Sequence, residues 1–202
     1  MKTLKFAALA GILGLTVAAN ATFYTSEASF LAAINATYYL EDFSGMTYGS
    51  VNAPSWTAPG ANGYGWTVSA TSGMYSNTSS MSTNVANEAM VVTFSGLPVT
   101  AFGGRIGNGD IGGNWIANSV TTLTMSNGDT MSINTNTESF LGWVGGPVVT
   151  SASITSTGSV DGNNWANLDH AYTGAATTVP EPATMAVLGL GALAMLRRRK
   201  KA

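Results

Sequence analysis

The chain has no cysteine, a single histidine and few charges, with Asp, Glu, Lys and Arg making up 9% of its 202 residues. Without cysteine there is no disulfide and no thiolate metal site, so a folded part must be held by packing or by an oxygen-ligated metal. His170 has no second histidine beside it and no serine nucleophile elbow anywhere in the chain, which leaves no hydrolase triad to assemble. Cations are scarcest of all. Lys2, Lys5 and Arg197 to Lys201 account for seven of the eight basic residues, so between the two ends Arg105 alone faces nine acids, a net charge of −8. A surface this poor in cations cannot neutralise phosphates, which argues against nucleic acid and against anionic lipid as partners.

The basic residues that do exist mark the ends. Lys2 and Lys5 precede an apolar, small-residue stretch from Phe6 to Ala19, and Ala19-Asn20-Ala21 supplies an A-x-A site. Residues 1–21 therefore read as a secretory signal peptide cut after Ala21. Residues 22–178 then make one exported domain, and about 160 residues suffice to bury a core.

At the other end, Val179-Pro180-Glu181-Pro182 is followed by an uncharged run over 183–196 and then by Arg197, Arg198, Arg199, Lys200 and Lys201. The prolines cannot donate to a backbone ladder and favour an exposed, extended strap. The run after them reads as a helix of about 21 Å at ~1.5 Å per residue, short of the ~30 Å hydrocarbon core unless the bilayer thins or the arginines snorkel. The basic cluster stays cytoplasmic, which places the domain outside.

In this order of elements, residues 179–202 resemble the PEP-CTERM sorting signal of Gram-negative bacteria. The resemblance implies an inner-membrane anchor helix at 183–196 with a basic tail at 197–201. It also implies processing by a membrane-embedded exosortase at or near Val179 to Pro182, then passage to the cell surface or an exopolysaccharide matrix.

Within the domain, Ser26 to Ile34 reads as one short helix, with Phe30, Leu31 and Ile34 on one face. After it come short β-branched or aromatic segments at 38–43, 65–68, 90–94, 101–106, 120–125, 130–134, 139–143, 149–155 and 168–172, separated by Gly, Asn, Ser and Pro. The clearest hairpin is 120–134, where Asn127-Gly128 is expected to supply positive φ angles to a tight turn. The pattern predicts an all-β fold, an antiparallel jelly-roll-like β-sandwich, with loops at 44–64 and 70–88. Gly103-Gly104, Gly107-Asn108-Gly109-Asp110 and Gly112-Gly113 match no phosphate loop and read as turns.

Leu40-Glu41-Asp42-Phe43, Val99 to Gly104 and Asn167 to Gly174 also resemble a diffuse group of exported PEP-CTERM proteins, which implies a jelly-roll sandwich over residues 25–175. In that pattern the late aspartate is often followed by asparagine. Here His170 stands in that place, so any function of the asparagine does not carry over.

Three chemistries are open to the domain. A jelly roll sets its first and last strands side by side, so Glu41 or Asp42 together with Asp169 could hold a structural calcium ion; the same acids could equally be solvated strand ends. Two loops, Asp110 to Asn118 and Asp161 to Asn167, each set Asp, Gly and Asn before a tryptophan. Trp115 and Trp165 would therefore suit a pyranose ring, although tryptophans in sandwiches commonly belong to the core. A glycosidase would need two carboxylates at a fixed separation, which nine acids on a small domain can supply by chance. The reading is a noncatalytic exported surface or matrix protein, associated with exopolysaccharide, with no catalytic residue and no certain cofactor. Its alternatives are a secreted carbohydrate-binding module and an extracellular polysaccharide hydrolase.

Overall fold

Ser26 starts the helix α1 (Glu27–Ala33): its hydroxyl accepts from the Ser29 N–H at 3.4 Å, and Glu27 sits in the first turn. The rest of the domain is strand and turn. The structure is a computed structural model that describes residues 21–135 and 139–177. Residues 1–20 of the expected signal peptide, residues 136–138 and the tail from residue 178 onward, with its expected anchor helix, lie outside the described residues. Among the described residues no helix is long and apolar enough to cross a membrane.

Among the described residues there are twelve strands: β1 (Thr22–Tyr24), β2 (Tyr39–Glu41), β3 (Asn52–Thr57), β4 (Tyr64–Ser76), β5 (Met81–Thr83), β6 (Met90–Gly96), β7 (Val99–Gly109), β8 (Ser119–Met125), β9 (Thr130–Thr135), β10 (Ser139–Val149), β11 (Ser151–Thr157) and β12 (Trp165–Gly174). They form one antiparallel sheet in the order β1-β10-β7-β12-β5-β4-β6-β11-β8-β9, with β2 added to β12 and β3 to β4. The all-β antiparallel fold with one short helix is as the sequence predicts, and the two layers are halves of a single sheet that nearly closes on itself. β5 joins them, pairing with β12 through Leu168↔Met81 and with β4 through Ser76↔Met81.

The core lies between the halves. Trp56, Val68, Val92, Ala152 and Met125 form one cross-strand row from β3 to β8. Phe102, Leu141, Trp143 and Leu168 of the other half belong to the same cluster. Trp143 is fully buried, and its indole N–H donates to Asp129 Oδ2 at 2.8 Å, which links β10 to the β8–β9 turn across the gap. Burying Trp66, Trp143, Phe102 and four methionines stabilises by about 1.5–3 kcal/mol for each side chain, which is how a chain without disulfides keeps its shape.

On the outer side of β7 and β10, α1 lays Phe30 directly on the sheet. Gly103 and Gly142 lie opposite each other there, and a Cβ on Gly142 would come within 2.4 Å of Phe30 Cδ2. Gly103 to Gly109, read from sequence as turns in part, thus continue β7: glycine serves close approach here rather than chain reversal.

The loops expected at 44–64 and 70–88 contain β3, much of β4 and β5. Their small polar residues carry no alternation, and they become strands because neighbours complete their ladders. Pro54 is accommodated on an edge strand, at the register shift between Ala53 and Ser55. The β8–β9 hairpin forms as expected, with one difference at its tip. Gly128 alone has positive φ (94°), in a three-residue loop closed by Gly128 N–H to Met125 O and Met125 N–H to Asp129 O. A type I turn followed by a left-handed glycine needs one such residue, not two.

Candidate functional site

The end of β7 and the start of β12 lie side by side, with Gly109 between two tryptophans: it pairs with Trp165 on β12 and bridges to Trp115 on the returning loop. The sequence echo therefore has a spatial counterpart. Both indoles are half-buried, but only Trp165 lines the adjoining cleft. Its volume is about 280 Å³, and its walls are Trp165, Tyr48 and Tyr75, the amides Asn77 and Asn84, and the β7–β8 loop at Asp110, Ile111 and Gly113, with Ser82 and Thr83 of β5 between them.

Each wall is fixed by local chemistry. Tyr75 stands on β4 and Tyr48 packs edge-on against it, with ring centroids 5.2 Å apart; Tyr48 is 56% exposed. Burial and the Tyr48 hydroxyl push the Tyr75 phenol up from its ordinary range. Asp110 holds its loop closed: Oδ1 accepts from Gly112 N–H at 2.8 Å and Asn114 N–H at 2.9 Å, and Oδ2 from the Asn114 amide at 3.0 Å. The Asn114 side chain, more than the backbone donors, keeps the Asp110 carboxyl below the usual carboxylate range. Asp161 clamps the echoing loop in the same way through Asn163 N–H at 3.0 Å.

The asparagines before the tryptophans then part company. Asn164 is buried and joins Asn108, Ser159 and Asn87 in one network, at 2.7, 3.0 and 2.9 Å. Asn114 stays exposed on its turn. Thr83 is 1% exposed, and its hydroxyl has no hydrogen-bond partner among the described residues.

Tyr48 and Tyr75 are absent from the sequence-based site. Both lie in stretches that read as loops, and the only trace they leave is an aromatic among Gly, Ser and Asn.

The expected calcium acids are brought to neighbouring strands, since Glu41 lies opposite Ala171 on β12. Each already accepts at least one hydrogen bond. Glu41 accepts from the Tyr39 hydroxyl at 2.5 Å and from Phe43 N–H at 2.9 Å, Asp42 accepts from Ser44 N–H at 2.9 Å, and Asp169 accepts from His170 N–H at 2.7 Å. Asp169 also lies opposite Arg105 in the β7–β12 register. Among the described residues no cluster of three or more His, Cys, Asp or Glu side chains is arranged to hold a metal. Bound in this way the three carboxyl groups serve the domain itself, and a calcium ion there would need further oxygens from water or backbone carbonyls to complete its six to eight ligands.

His170 occupies a β12 bulge with φ of 46°, and its Nδ1 lies 2.7 Å from Asp169 Oδ1. A left-handed position of this kind favours Asn, Asp and His.

Beyond Thr177 the domain gives way to the tail, and residues 178–200 match the family model of the PEP-CTERM protein-sorting motif. The chain carries a PEP-CTERM sorting motif. This match covers Val179, Pro180, Glu181, Pro182 and the three arginines 197–199. A PEP-CTERM tail marks an exported protein processed by an exosortase, with its C-terminus associated with the membrane before processing. No curated protein and no solved structure matches the chain.

Proposed function

We propose that this PEP-CTERM protein is a noncatalytic component of the cell surface or extracellular matrix, and that its domain retains exopolysaccharide in the cleft of Tyr48, Tyr75 and Trp165. The observation that carries the reading is the lining of that cleft. Three aromatic side chains offer flat apolar faces to sugar rings, and Asn77 and Asn84 stand beside them with amide groups for hydroxyls.

The same lining supports a binding role over hydrolysis. Glycoside hydrolysis ordinarily uses two carboxyl groups about 5–10 Å apart. Asp110 is the one acid among the residues that line the cleft, and its oxygens are occupied in holding the loop.

Tyr48→Ala tests the reading, because Tyr48 is largely exposed and its truncation should shift stability by no more than about 0.5 kcal/mol. Retention on exopolysaccharide purified from the host should weaken about tenfold, equivalent to about 1.4 kcal/mol. Unchanged retention by a folded variant would remove the cleft from the function.

A further inference from the structure

The two halves of the sheet differ on their outer faces. α1 covers β7 and β10 with Phe30, whereas on the other half the one aromatic contact on the outer face, among the described residues, is Tyr48 on Tyr75, at the far end of β4, and the rows over β3, residues 65–69 of β4, β6, β11, β8 and β9 lie outside it. That bare face is built of hydroxyls in register. One row runs Thr57, Thr67, Thr93, Ser151 across four adjacent strands. The next runs Ser55, Ser69, Val91, Ser153, Thr124, Thr130 across all six. Neighbours within a row are about 4.8 Å apart, and alternate positions along a strand about 6.8 Å.

Three properties of this face specify a partner. It is uncharged: no Asp, Glu, Lys or Arg occupies an outward position on these six strands, although the domain as a whole carries a net −8. Exposed strands are ordinarily protected from association by charge, and the edge strand β9 has none. Its hydroxyls are also pre-set. Thr57 and Thr67 are 3.0 Å apart, Thr124 and Thr130 3.0 Å, and Thr122 and Ser132 2.7 Å. Each pair fixes two rotamers while leaving further donor and acceptor capacity outward, so less entropy is lost on binding. Finally, the face is twisted, because adjacent strands rotate by about 20–25°. A rigid planar lattice could follow only two or three strands, whereas a polymer chain can follow them all.

We infer that this hydroxyl face is a second docking surface, for neutral polysaccharide chains laid across the strands. The inference rests on the polysaccharide reading for its ligand class but on none of the cleft residues. An uncharged, polyhydroxylated polymer exchanges hydrogen bonds with the face and meets no repulsion from a strongly acidic domain. A polyuronate would meet it.

The experiment measures co-sedimentation of residues 22–177 with amorphous cellulose as the neutral probe and polygalacturonate as the anionic one. Thr93→Glu combined with Thr124→Glu places charge on the exposed face, and Thr93→Ser combined with Thr124→Ser keeps the hydroxyls. Wild type and the Ser variant should bind cellulose alike and ignore polygalacturonate; the Glu variant should bind cellulose about tenfold more weakly at an unchanged melting temperature. Equal binding by the Glu variant overturns the face, and if Tyr48→Ala then abolishes binding the cleft stands alone. Wild type remaining in the supernatant overturns the face, while the cleft is decided separately by retention of Tyr48→Ala on host exopolysaccharide. A wild-type dimer that the Glu variant converts to monomer identifies a second copy as the occupant and also overturns the proposal.

Discussion

Glu27 shows how much a single residue holds together in a domain with one internal cation. It lies in the first turn of α1, accepts from Arg105 Nη2 at 3.1 Å and Nε at 3.2 Å, and accepts a hydrogen bond from the Tyr172 hydroxyl on its other oxygen. Burial pushes its carboxyl up, but the Tyr172 and Arg105 donors outweigh that and hold it below the usual carboxylate range. Burial and the same carboxylate push the Tyr172 phenol up. Since the folded-state value of Glu27 is the lower one, its contribution is present above the unfolded value, near 4.3, and disappears as pH falls through the folded value. Glu27→Gln should therefore be less stable than wild type at neutral pH and should lose less on acidification. Urea midpoints measured from pH 7 to pH 3 check this; parallel curves for the two proteins would show that the pair contributes nothing.

At the scale of elements, α1 also ties down the end of the chain. Asn35 N–H donates to Ala175 O at 2.9 Å, Thr177 N–H to Ala33 O at 3.0 Å, and Ala176 N–H to Thr100 Oγ1 at 2.9 Å. The fold is thus ordered up to the residue before the sorting motif, and Pro180 lies within about 10 Å of chain from Thr177. Thr100→Val keeps the shape but removes the acceptor of Ala176, at a cost of about 0.5–1.5 kcal/mol if the bond is typical. The Ala176 amide should then exchange several-fold faster while amides of β7 keep their protection. Equal exchange in the two proteins would mean that water replaces Thr100 without loss.

For the whole molecule, the question left by an acidic, cysteine-free sequence is what replaces disulfides, and the rolled sheet answers it with core packing. Glu41, Asp42 and Asp169 serve strand ends and turns. We expect the same melting temperature with calcium and with chelator, whereas a structural ion at 100 times its dissociation constant would add about 2.7 kcal/mol. A higher melting temperature in calcium would restore the ion that the geometry does not support.

The sequence by itself determined what depends on neighbours along the chain. The helix cap at Ser26, the β8–β9 hairpin, the alternating strands and the sorting tail are local patterns of capping, periodicity and charge order, and each was legible without knowing what packs where. Tertiary structure alone decided what depends on distant partners. Gly103 and Gly142 look like loop residues until Phe30 is seen resting on them. Residues 52–57, 70–76 and 81–83 become strand because the first half of β4, β12 and each other supply their ladders, and Tyr48, Tyr75 and Trp165 meet because β5 joins the halves of the sheet. Hydrogen-bond registry acts between strands far apart in sequence, so rows such as Thr57, Thr67, Thr93 and Ser151 have no one-dimensional signature.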